Sequence, residues 1–522
     1  MKKLFWILAC GALCLSGCNS QENKESDDNM TDVYIPIGPH IRLDKEEYSL
    51  TDSIDVKVYN ASETDWVGFY YEFEEPSIIN STSWQYVSNK QTLTFMASSL
   101  KEAGEYSIYL CKDGGYEILD VKKIYIKSSD TNDYKIDDAS FTSTLDNKVL
   151  KSSITIKPSV EKQLTYLLYW TKDKKRLSDY TYIKKVTHKG MNEFTIDFND
   201  CMYMPQEANG IEITTKEGKT TSYFLDINED TLKLKKSKHL FDFEVLTDIH
   251  ISTVSDKPAH IIHLKSALKN ILDLHPNSKG VVTIGDHTNY GKRENYELLM
   301  STISSVFDEK SPNIYFSLGN HEYIYKDIMG GYPTAVSLFK EYTKQENIYY
   351  SFEIDGLKFI ILGSDSGIGE GTIGETQFNW LKQQLQSTDK TKPTFLFVHQ
   401  PLIDTVSGSL YSKNSSIQYW YGIDSGVKIK EMLKDYPNAT LFSGHTHWTL
   451  DSVQPILFGN GESANYINCA SVGYLWNDSN TTEAGSEGVF VEVYEDYILL
   501  RGREFVEQKW VATAQFVFPT YK

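Results

Sequence analysis

From about residue 239 onward, short apolar runs alternate with segments of helical periodicity. Six of the runs have the length and composition of buried strands. They are Phe241 to Leu246, Val281 to Ile284, Ile314 to Leu318, Phe359 to Leu362, Phe395 to Val398 and Thr440 to Phe442. Apolar residues at helical spacing lie between the runs, around 261–272, 298–307 and 378–385. This rhythm predicts an α/β domain over residues 238–522.

The end of this domain departs from the rhythm. Valines alternate with other residues from Val489 to Val493, and a second strand-like run follows from Tyr497 to Arg501. Two such runs with a short connection predict an antiparallel hairpin that closes the domain.

Ahead of the α/β domain, the chain follows a two-residue periodicity, which is typical of strands with one buried face. Ile54, Val56 and Val58, for example, alternate with polar residues. We predict a β-sandwich over residues 33–128 and a second sandwich-like module over residues 129–237. A single larger sandwich spanning both is the alternative. The chain is thus expected to be multidomain, with two β-sandwich modules before the α/β domain.

The first residues have the features of an export signal. Lys2 and Lys3 precede an apolar stretch that is too short to span a bilayer and ends in Ser16-Gly17-Cys18. Small residues before a cysteine resemble a bacterial lipobox, which implies removal of residues 1–17 and acylation of Cys18. A plain secretory signal is the alternative. The polar residues 18–32 then form a tether, and we expect an exported bacterial lipoprotein, anchored to a membrane at the cell surface or in the periplasm.

Net charge and cysteine content argue against two classes of protein, nucleic-acid binders and disulfide-rich domains. The formal net charge of −19 disfavours binding to a nucleic-acid polymer, although bound metal ions can reverse the local field around a phosphate group. Beyond the signal, only Cys111, Cys201 and Cys469 remain, which is too few and too scattered for a disulfide framework. We expect these three to be small buried residues.

Polar residues follow five of the six predicted strands. These segments are Asp248-x-His250, Gly285-Asp286, Gly319-Asn320-His321-Glu322, His399-x-Pro401 and Gly444-His445-x-His447. Because sites of open α/β folds form outside the carboxyl ends of strands, the five segments are expected to meet at one edge. Imidazole nitrogen and carboxylate oxygen are ligands for divalent transition metals. The sequence therefore predicts a metal site there.

This ordered set resembles the signature of calcineurin-like metallophosphoesterases. The resemblance covers roughly residues 239–516 and implies two central β-sheets flanked by helices. It also implies a phosphomonoesterase or phosphodiesterase with two metal ions, which the ligand types allow to be Mn, Fe or Zn.

The resemblance assigns a role to each motif residue. The first metal ion would be held by Asp248, His250 and His447, and the second by Asn320, His399 and His445. Asp286 would bridge both ions, and a hydroxide between them would attack phosphorus in line. His321 would protonate the leaving oxygen or stabilise the phosphoryl group, with Asn320 also contacting substrate. Glu322 is a candidate to orient His321.

One departure from a related family limits the metal chemistry. Purple acid phosphatases carry a tyrosine ligand three residues after the bridging aspartate, and here that position is Asn289, with Tyr290 one residue later. A tyrosinate-ligated ferric centre is therefore not expected. Four further histidines of the domain, His260, His263, His275 and His287, are expected to be ordinary surface or packing residues.

Aromatic residues near the motifs are candidates for substrate binding. Trp420, Tyr474 and Trp476 follow the motifs, and their flat rings either stack on a base or sugar or pack beneath the loops. Farther forward, the segment Asp65–Tyr70 resembles one in Ig-like modules that precede bacterial phosphoesterase domains. Its Trp66 is either a core residue or a ligand platform.

A second class of function stays open. The chain is then a surface-binding lipoprotein whose sandwich modules bind a glycan or a protein partner, with the α/β domain as a scaffold.

Overall fold

The computed structural model describes residues 39–522, apart from 72–73, 77–78, 101, 117, 147–148, 219–221, 228–233, 254–257, 412–421 and 424. The predicted signal, Cys18 and the tether lie outside the described residues, as does Trp420. Within the described part, no helix is both long enough and apolar enough to cross a membrane. The cysteines Cys111, Cys201 and Cys469 are buried and free, as their number and spacing predict.

In the described part of the N-terminal region, eight strands form two sheets. They are β1 (His40–Arg42), β2 (Glu47–Ser49), β3 (Ser53–Tyr59), β4 (Trp66–Tyr71), β5 (Ser83–Tyr86), β6 (Thr92–Met96), β7 (Gly104–Cys111) and β8 (Ile118–Lys127), with a 3₁₀ turn at Ala97–Ser99. One sheet has the order β1-β3-β6 and the other β2-β8-β7-β4-β5. Alternate residues such as Val56 and Phe69 meet in a shared core. The relation to Ig-like modules stays a prediction.

Eight further strands form the next region. They are β9 (Ile136–Asp146), β10 (Val149–Pro158), β11 (Gln163–Lys172), β12 (Lys175–Arg176), β13 (Lys184–Lys189), β14 (Phe194–Asp197), β15 (Gly210–Thr215) and β16 (Tyr223–Asp226). One sheet has the order β14-β10-β9 and a second β12-β11-β15-β16, with β13 also paired to β11. Apolar residues here and in the C-terminal domain form one continuous core. For example, the indole of Trp170 donates to the carbonyl of Ala512 at 3.0 Å.

The C-terminal domain alternates strands and helices before it ends in antiparallel strands. The strands are β17 (His239–Leu246), β18 (Val281–Ile284), β19 (Ile314–Ser317), β20 (Tyr350–Ile354), β21 (Leu357–Ile361), β22 (Thr394–Phe397), β23 (Ala439–Ser443), β24 (Ile456–Leu457), β25 (Asn465–Asn468), β26 (Leu475–Trp476), β27 (Thr482–Glu483), β28 (Glu487–Tyr494), β29 (Tyr497–Glu504) and β30 (Lys509–Pro519). The helices are α1 (Pro258–Leu274), α2 (Arg293–Ser304), α3 (Lys326–Met329), α4 (Tyr332–Thr343), α5 (Glu375–Gln386) and α6 (Gly426–Leu433), with a 3₁₀ turn at His321–Tyr323.

Two six-stranded sheets form the centre of this domain. Their orders are β19-β18-β17-β28-β29-β30 and β20-β21-β22-β23-β25-β24. The ring of Phe243 on the first sheet lies 4.9 to 6.2 Å from the rings of four phenylalanines on the second sheet. Apolar residues of α1 and α2 pack with the first sheet, while those of α5 and α6 pack with the second. The layers are therefore helix, sheet, sheet, helix.

The strands and helices predicted for this domain are confirmed. All six apolar runs form strands, and the closing hairpin is β28 and β29, paired antiparallel. The segments 261–272 and 378–385 lie in α1 and α5, while the segment 298–307 extends three residues beyond the end of α2 at Ser304. The strands β17, β18 and β19 run parallel, as do β21, β22, β23 and β25. Parallel strands place their carboxyl ends at one edge, and the polar motifs lie there.

Candidate metal centre

The seven predicted metal ligands come together at this edge, and all of them are buried. Asp248 and His250 follow β17, Asp286 follows β18, Asn320 follows β19, His399 follows β22, and His445 and His447 follow β23. Ligand atoms of Asp248, His250 and His447 lie within 4.8 Å of one another, and so do those of Asp286, His399 and His445. These are the residue types that could hold a divalent metal ion.

Asp286 lies between the two groups. Its Oδ2 is 3.2 Å from His399 Nε2 and 3.8 Å from His250 Nε2, one imidazole from each group. Its Oδ1 accepts the backbone N–H of His321 at 2.8 Å. One carboxylate oxygen is thus held by the protein and the other faces both groups of imidazoles.

The other two oxygen ligands are held in the same way. Asp248 Oδ2 accepts the hydroxyl of Thr247 at 2.7 Å and the amide of His445 at 2.8 Å, which leaves Oδ1 facing His447 Nε2 at 3.0 Å. The side-chain amide of Asn320 donates to the carbonyl of Ile368 at 2.6 Å. Its Oδ1 therefore faces the imidazoles.

Backbone carbonyls fix the orientation of two of the four ligand imidazoles. Nδ1 of His399 lies 2.8 Å from the carbonyl of Ile284, and Nδ1 of His447 lies 3.1 Å from the carbonyl of Tyr474. Because a carbonyl can only accept, each Nδ1 carries a proton and each Nε2 of the neutral ring presents a lone pair. This is the tautomer that binds a metal ion through Nε2.

Ligand atoms of the centre also contact one another directly. Asn320 Oδ1 lies 2.8 Å from His399 Nε2, and the Nε2 atoms of His250 and His447 are 3.2 Å apart. Such pairs repel unless a proton or a cation lies between them. The donor set therefore fits metal binding.

Electrostatics point the same way. Burial raises the pKa of Asp248 and Asp286, but the neighbouring imidazoles outweigh burial and hold both pKa values below their usual range. Burial lowers the pKa of His399, and the same two carboxylates outweigh it and raise that pKa to about 10. Burial and nearby imidazoles lower the pKa of His250 to about 4 and that of His445 to about 3. Charged carboxylates and two neutral imidazoles are the forms that bind metal ions.

The backbone at the site is strained. Asp248, His250, Asp286, His445 and His447 all have φ between +49° and +69°, a region that non-glycine residues rarely adopt. Strain of this kind persists only where the surroundings enforce it, and it clusters at functional sites.

Two glycines permit the close approach of the loops. A Cβ on Gly319 would collide with the backbone nitrogen and Oδ1 of Asp286, and a Cβ on Gly444 would collide with Thr247 and Asp248. Glycine is required at both positions because the loops after β18 and β19 pass in direct contact, and so do the loops after β17 and β23, which belong to different sheets.

His321 lies at the mouth of the site. Its side chain is 25% exposed and its Nε2 is 3.8 Å from Asp286 Oδ2. Its Nδ1 lies 3.0 Å from the carbonyl of Asn289, so Nδ1 donates and Nε2 faces the metal ligands. The neighbouring Tyr290 packs its ring against Tyr325 at 5.1 Å.

Glu322 does not hold His321 but supports the loops around it. Its buried carboxylate accepts the backbone N–H groups of Asp286, Thr288 and Gly319 at 2.9 to 3.1 Å. The burial of Glu322 raises its pKa, but the contact with His287 and the backbone amides outweigh burial and lower it. One carboxylate thus joins the loops that carry Asp286 and Asn320, a role that its position in the motif does not reveal.

The remaining histidines are packing residues, and two of them contact the site. His260, His263 and His287 are buried rather than on the surface. His260 Nδ1 lies 2.9 Å from the carbonyl of His250. His263 Nδ1 lies 2.9 Å from the carbonyl of Gly473, and its Nε2 lies 2.8 Å from the carboxylate of Glu75 in the N-terminal region.

The aromatic candidates have different surroundings. The ring of Tyr474 lies 4.4 Å from that of His447 and 5.4 Å from that of His250, so it covers one side of the first ligand group. Trp476 lies two residues later in the chain. Its ring stacks on that of Trp448, with the ring centroids 6.4 Å apart. A role of either residue in substrate binding stays a prediction.

Comparisons with known proteins agree with the motifs. Residues 243–449 match the family model of calcineurin-like phosphoesterases. A probable glycerophosphodiester phosphodiesterase from Arcobacter nitrofigilis is 26% identical over 167 residues, which are 30% of this chain and 55% of that protein. Purple acid phosphatase 23 of Arabidopsis thaliana is 26% identical over 131 residues, 23% of this chain and 26% of that protein. The chain thus spans about half the length of the first relative and about a quarter of the second.

A solved structure with similarity to the chain is purple acid phosphatase PPD1 from yellow lupin (Lupinus luteus) seeds. It is 12% identical, with a TM-score of 0.41, over 92% of this chain and 96% of that chain.

Proposed function

We propose that residues 243–449, which belong to the calcineurin-like phosphoesterase family, hydrolyse phosphomonoesters or phosphodiesters at the metal centre. The observation that carries this proposal is the shared orientation of the oxygen ligands. Asp248, Asp286 and Asn320 each have one polar atom held by the protein and another facing imidazole nitrogens. A scaffold without chemistry does not require this arrangement.

In this proposal the centre holds two divalent ions. Asp248, His250 and His447 would hold one, Asn320, His399 and His445 would hold the other, and Asp286 would contact both. When bound, such ions supply Lewis acidity toward the phosphoryl oxygens and lower the pKa of a water molecule. The ligand types are compatible with Mn, Fe and Zn alike.

His321 is the proposed proton donor. The carbonyl of Asn289 holds its Nδ1, which directs Nε2 toward the centre, where substrate would enter. A protonated Nε2 in this position can donate to the leaving oxygen of the ester, or stabilise charge on the phosphoryl group. Its partial exposure allows it to regain a proton from solvent.

Relatives of the chain carry the names of both ester classes. One is named as a phosphodiesterase and the other as a phosphatase. We therefore keep both classes in the proposal and let an assay separate them.

The test compares the two classes of ester on one preparation. The full chain is stripped of metal by a chelator and then assayed on nitrophenyl phosphate and on bis-nitrophenyl phosphate, with Mn²⁺, Fe²⁺ or Zn²⁺ added back. We expect metal-dependent hydrolysis of at least one ester, and the ratio of the two rates assigns the class. His239→Asn is a control that should keep the wild-type rates, since His239 is exposed and begins β17, whereas Asp248 follows the other end of that strand. Inactivity with every metal and both esters would contradict the proposal.

We further propose that the protein is exported and anchored through an acylated Cys18, with a phosphoester substrate outside the cytoplasm. The basic start, the short apolar stretch and the small residues before Cys18 support this. Cys18→Ser should move the protein from the membrane fraction to the soluble fraction of the same cells. An unchanged distribution of the variant would contradict lipid anchoring.

A further inference from the structure

A cavity of about 300 Å³ lies in the N-terminal region and has no residue in common with the metal centre. We call it the aromatic pocket and define it by Trp66, Trp84, Tyr86 and Tyr116, with Asn80 and Ser81 as polar members. The volume is at the lower end of the range for small-molecule sites.

The pocket is built on the outer face of a sheet. Along β4, Val67 and Phe69 point into the core between the two sheets, so Trp66 and Tyr70 point to the opposite face. On the neighbouring strand β5, Tyr86 pairs with Trp66, and therefore lies on that same face. Aromatic side chains of adjacent strands thus stand together.

A glycine makes room for the central ring. Trp84 pairs across the sheet with Gly68, and a Cβ on Gly68 would lie 2.6 Å from the ring of Trp66. Without that Cβ, the Trp66 ring lies across the sheet surface, where its indole N–H donates to the carbonyl of Gly115 at 2.7 Å. Trp66 is only 7% exposed and is a fixed element of the pocket.

The surrounding rings are exposed to an unusual degree. Trp84, Tyr86 and Tyr116 are 54%, 45% and 42% exposed. Trp84 and Tyr116 stand nearly perpendicular to Trp66, at interplanar angles of 82° and 81°. Large apolar side chains that are grouped and exposed on one concave surface mark a binding site rather than a folding requirement.

The lining also lacks charge. None of the described residues that line the pocket is acidic, basic or a histidine, although 24% of the chain is charged. A phosphate, a nucleotide or a charged peptide would find no counter-charge among these described residues. Flat apolar rings combined with an amide and hydroxyl groups instead match a ligand that is neutral, has apolar faces and carries hydroxyls at its edges.

We propose that the aromatic pocket binds the ring of a neutral sugar, as the terminal or internal unit of a glycan. The pyranose face would stack on an exposed ring such as Trp84, and the equatorial hydroxyls would reach Asn80, Ser81 and the tyrosine hydroxyls. A protein partner fits less well because a stable protein interface buries about 800 Å² on each side. The assignment is independent of the phosphoesterase chemistry, since the two sites have no residue in common.

The test is affinity electrophoresis of the full chain through gels that contain neutral polysaccharides, with glucan, mannan, galactan and xylan as probes. We expect at least one to retard the protein. Trp84→Ala and Tyr116→Ala should weaken that binding about tenfold or more, which corresponds to about 1.4 kcal/mol of lost contact. Both side chains are exposed, so the variants are expected to fold. Tyr59→Ala is the matched control, because Tyr59 is a 40% exposed tyrosine of the other sheet.

Nitrophenyl phosphate hydrolysis by Trp84→Ala should equal that of the wild type, which separates this site from the metal centre. Retention that persists in both pocket variants would overturn the proposal, and so would the absence of retention by every probe. A protein captured through Trp84 in place of any sugar would also overturn it.

Discussion

The metal centre and the aromatic pocket differ in construction in almost every respect. The centre consists of buried carboxylates and imidazoles on a backbone that is strained at five positions. The pocket consists of uncharged rings on β4, on β5 and on the loop between β7 and β8, three of them exposed by more than 40%. Buried carboxylates in the metal centre favour a bound cation, whereas the exposed apolar surface of the pocket favours a ligand with apolar faces.

A buried ion pair connects the N-terminal region, which carries the pocket, to the C-terminal domain, which carries the metal centre. Glu75 follows β4, and its carboxylate lies 2.8 Å from Nε2 of His263 on α1. Nδ1 of His263 lies 2.9 Å from the carbonyl of Gly473, and the next carbonyl, that of Tyr474, orients His447. The N-terminal region is therefore part of the support of the metal centre, in addition to carrying its own pocket.

The largest effect is expected from His321→Asn. On an alkyl phosphate, kcat should fall about 10² to 10⁴-fold, because the leaving oxygen then lacks its proton donor. On nitrophenyl phosphate the loss should be much smaller, since that leaving group is stable without a proton. Steady-state kinetics of both substrates measure the difference. Equal losses on both would mean that His321 does not protonate the leaving group.

A smaller effect is expected from Glu322→Gln. The amide would place N–H groups against backbone N–H groups that now donate to the carboxylate. We expect about a 10- to 100-fold loss of metal affinity, as for other residues that support metal ligands. Metal titration followed by activity measures it, and exposed Glu309→Gln serves as the control. Unchanged metal affinity together with reduced stability would assign Glu322 a purely structural role.

Glu75→Gln tests this ion pair, because its effect on the free energy of unfolding should depend on pH. Burial lowers the pKa of His263, but Glu75 outweighs it and raises that pKa above 6.5, with a smaller contribution from Glu504. Protonated His263 therefore stabilises the folded state. This contribution is fully present below pH 6.5, the usual pKa of histidine, and is lost as the pH rises through the pKa of the folded state.

At pH 6 the variant should therefore unfold at a lower urea concentration than the wild type. Its free energy of unfolding is expected to be smaller by about 3 kcal/mol. The difference should narrow at pH 9.5. Exposed Glu46→Gln should show no shift at either pH. A difference of the same size at both pH values would mean that the pair is not ionic.

The smallest effect is expected at the aromatic residues of the catalytic domain. Trp476→Ala should change the relative rates across esters with flat and aliphatic leaving groups by about threefold to tenfold, the scale of one aromatic contact. Trp380→Ala, on the outer helix α5, is the control. If the relative rates across the panel stay the same, Trp476 packs beneath the loop and does not contact substrate.

The two regions also differ in how well the sequence predicts them. Each metal ligand stands directly after a strand whose apolar run is visible, so topology alone brings Asp248, Asp286 and His399 together. Glu322 and His263 gave no such signal. The role of Glu322 depends on backbone N–H groups, and that of His263 depends on Glu75, nearly two hundred residues away in the chain. The aromatic pocket depends on strand register, which places Trp66 beside Tyr86, and local periodicity does not specify register.

The most direct test of the account is the metal content of the purified full chain, measured by mass spectrometry in the wild type and in Asp286→Asn. Both variants are reconstituted with Mn²⁺, Fe²⁺ and Zn²⁺ in turn. The account predicts about two ions per chain in the wild type. It also predicts fewer ions in the variant, with loss of hydrolysis, because Asp286 faces both groups of imidazoles. A wild-type protein that binds no metal under any of these conditions and stays inert would contradict it.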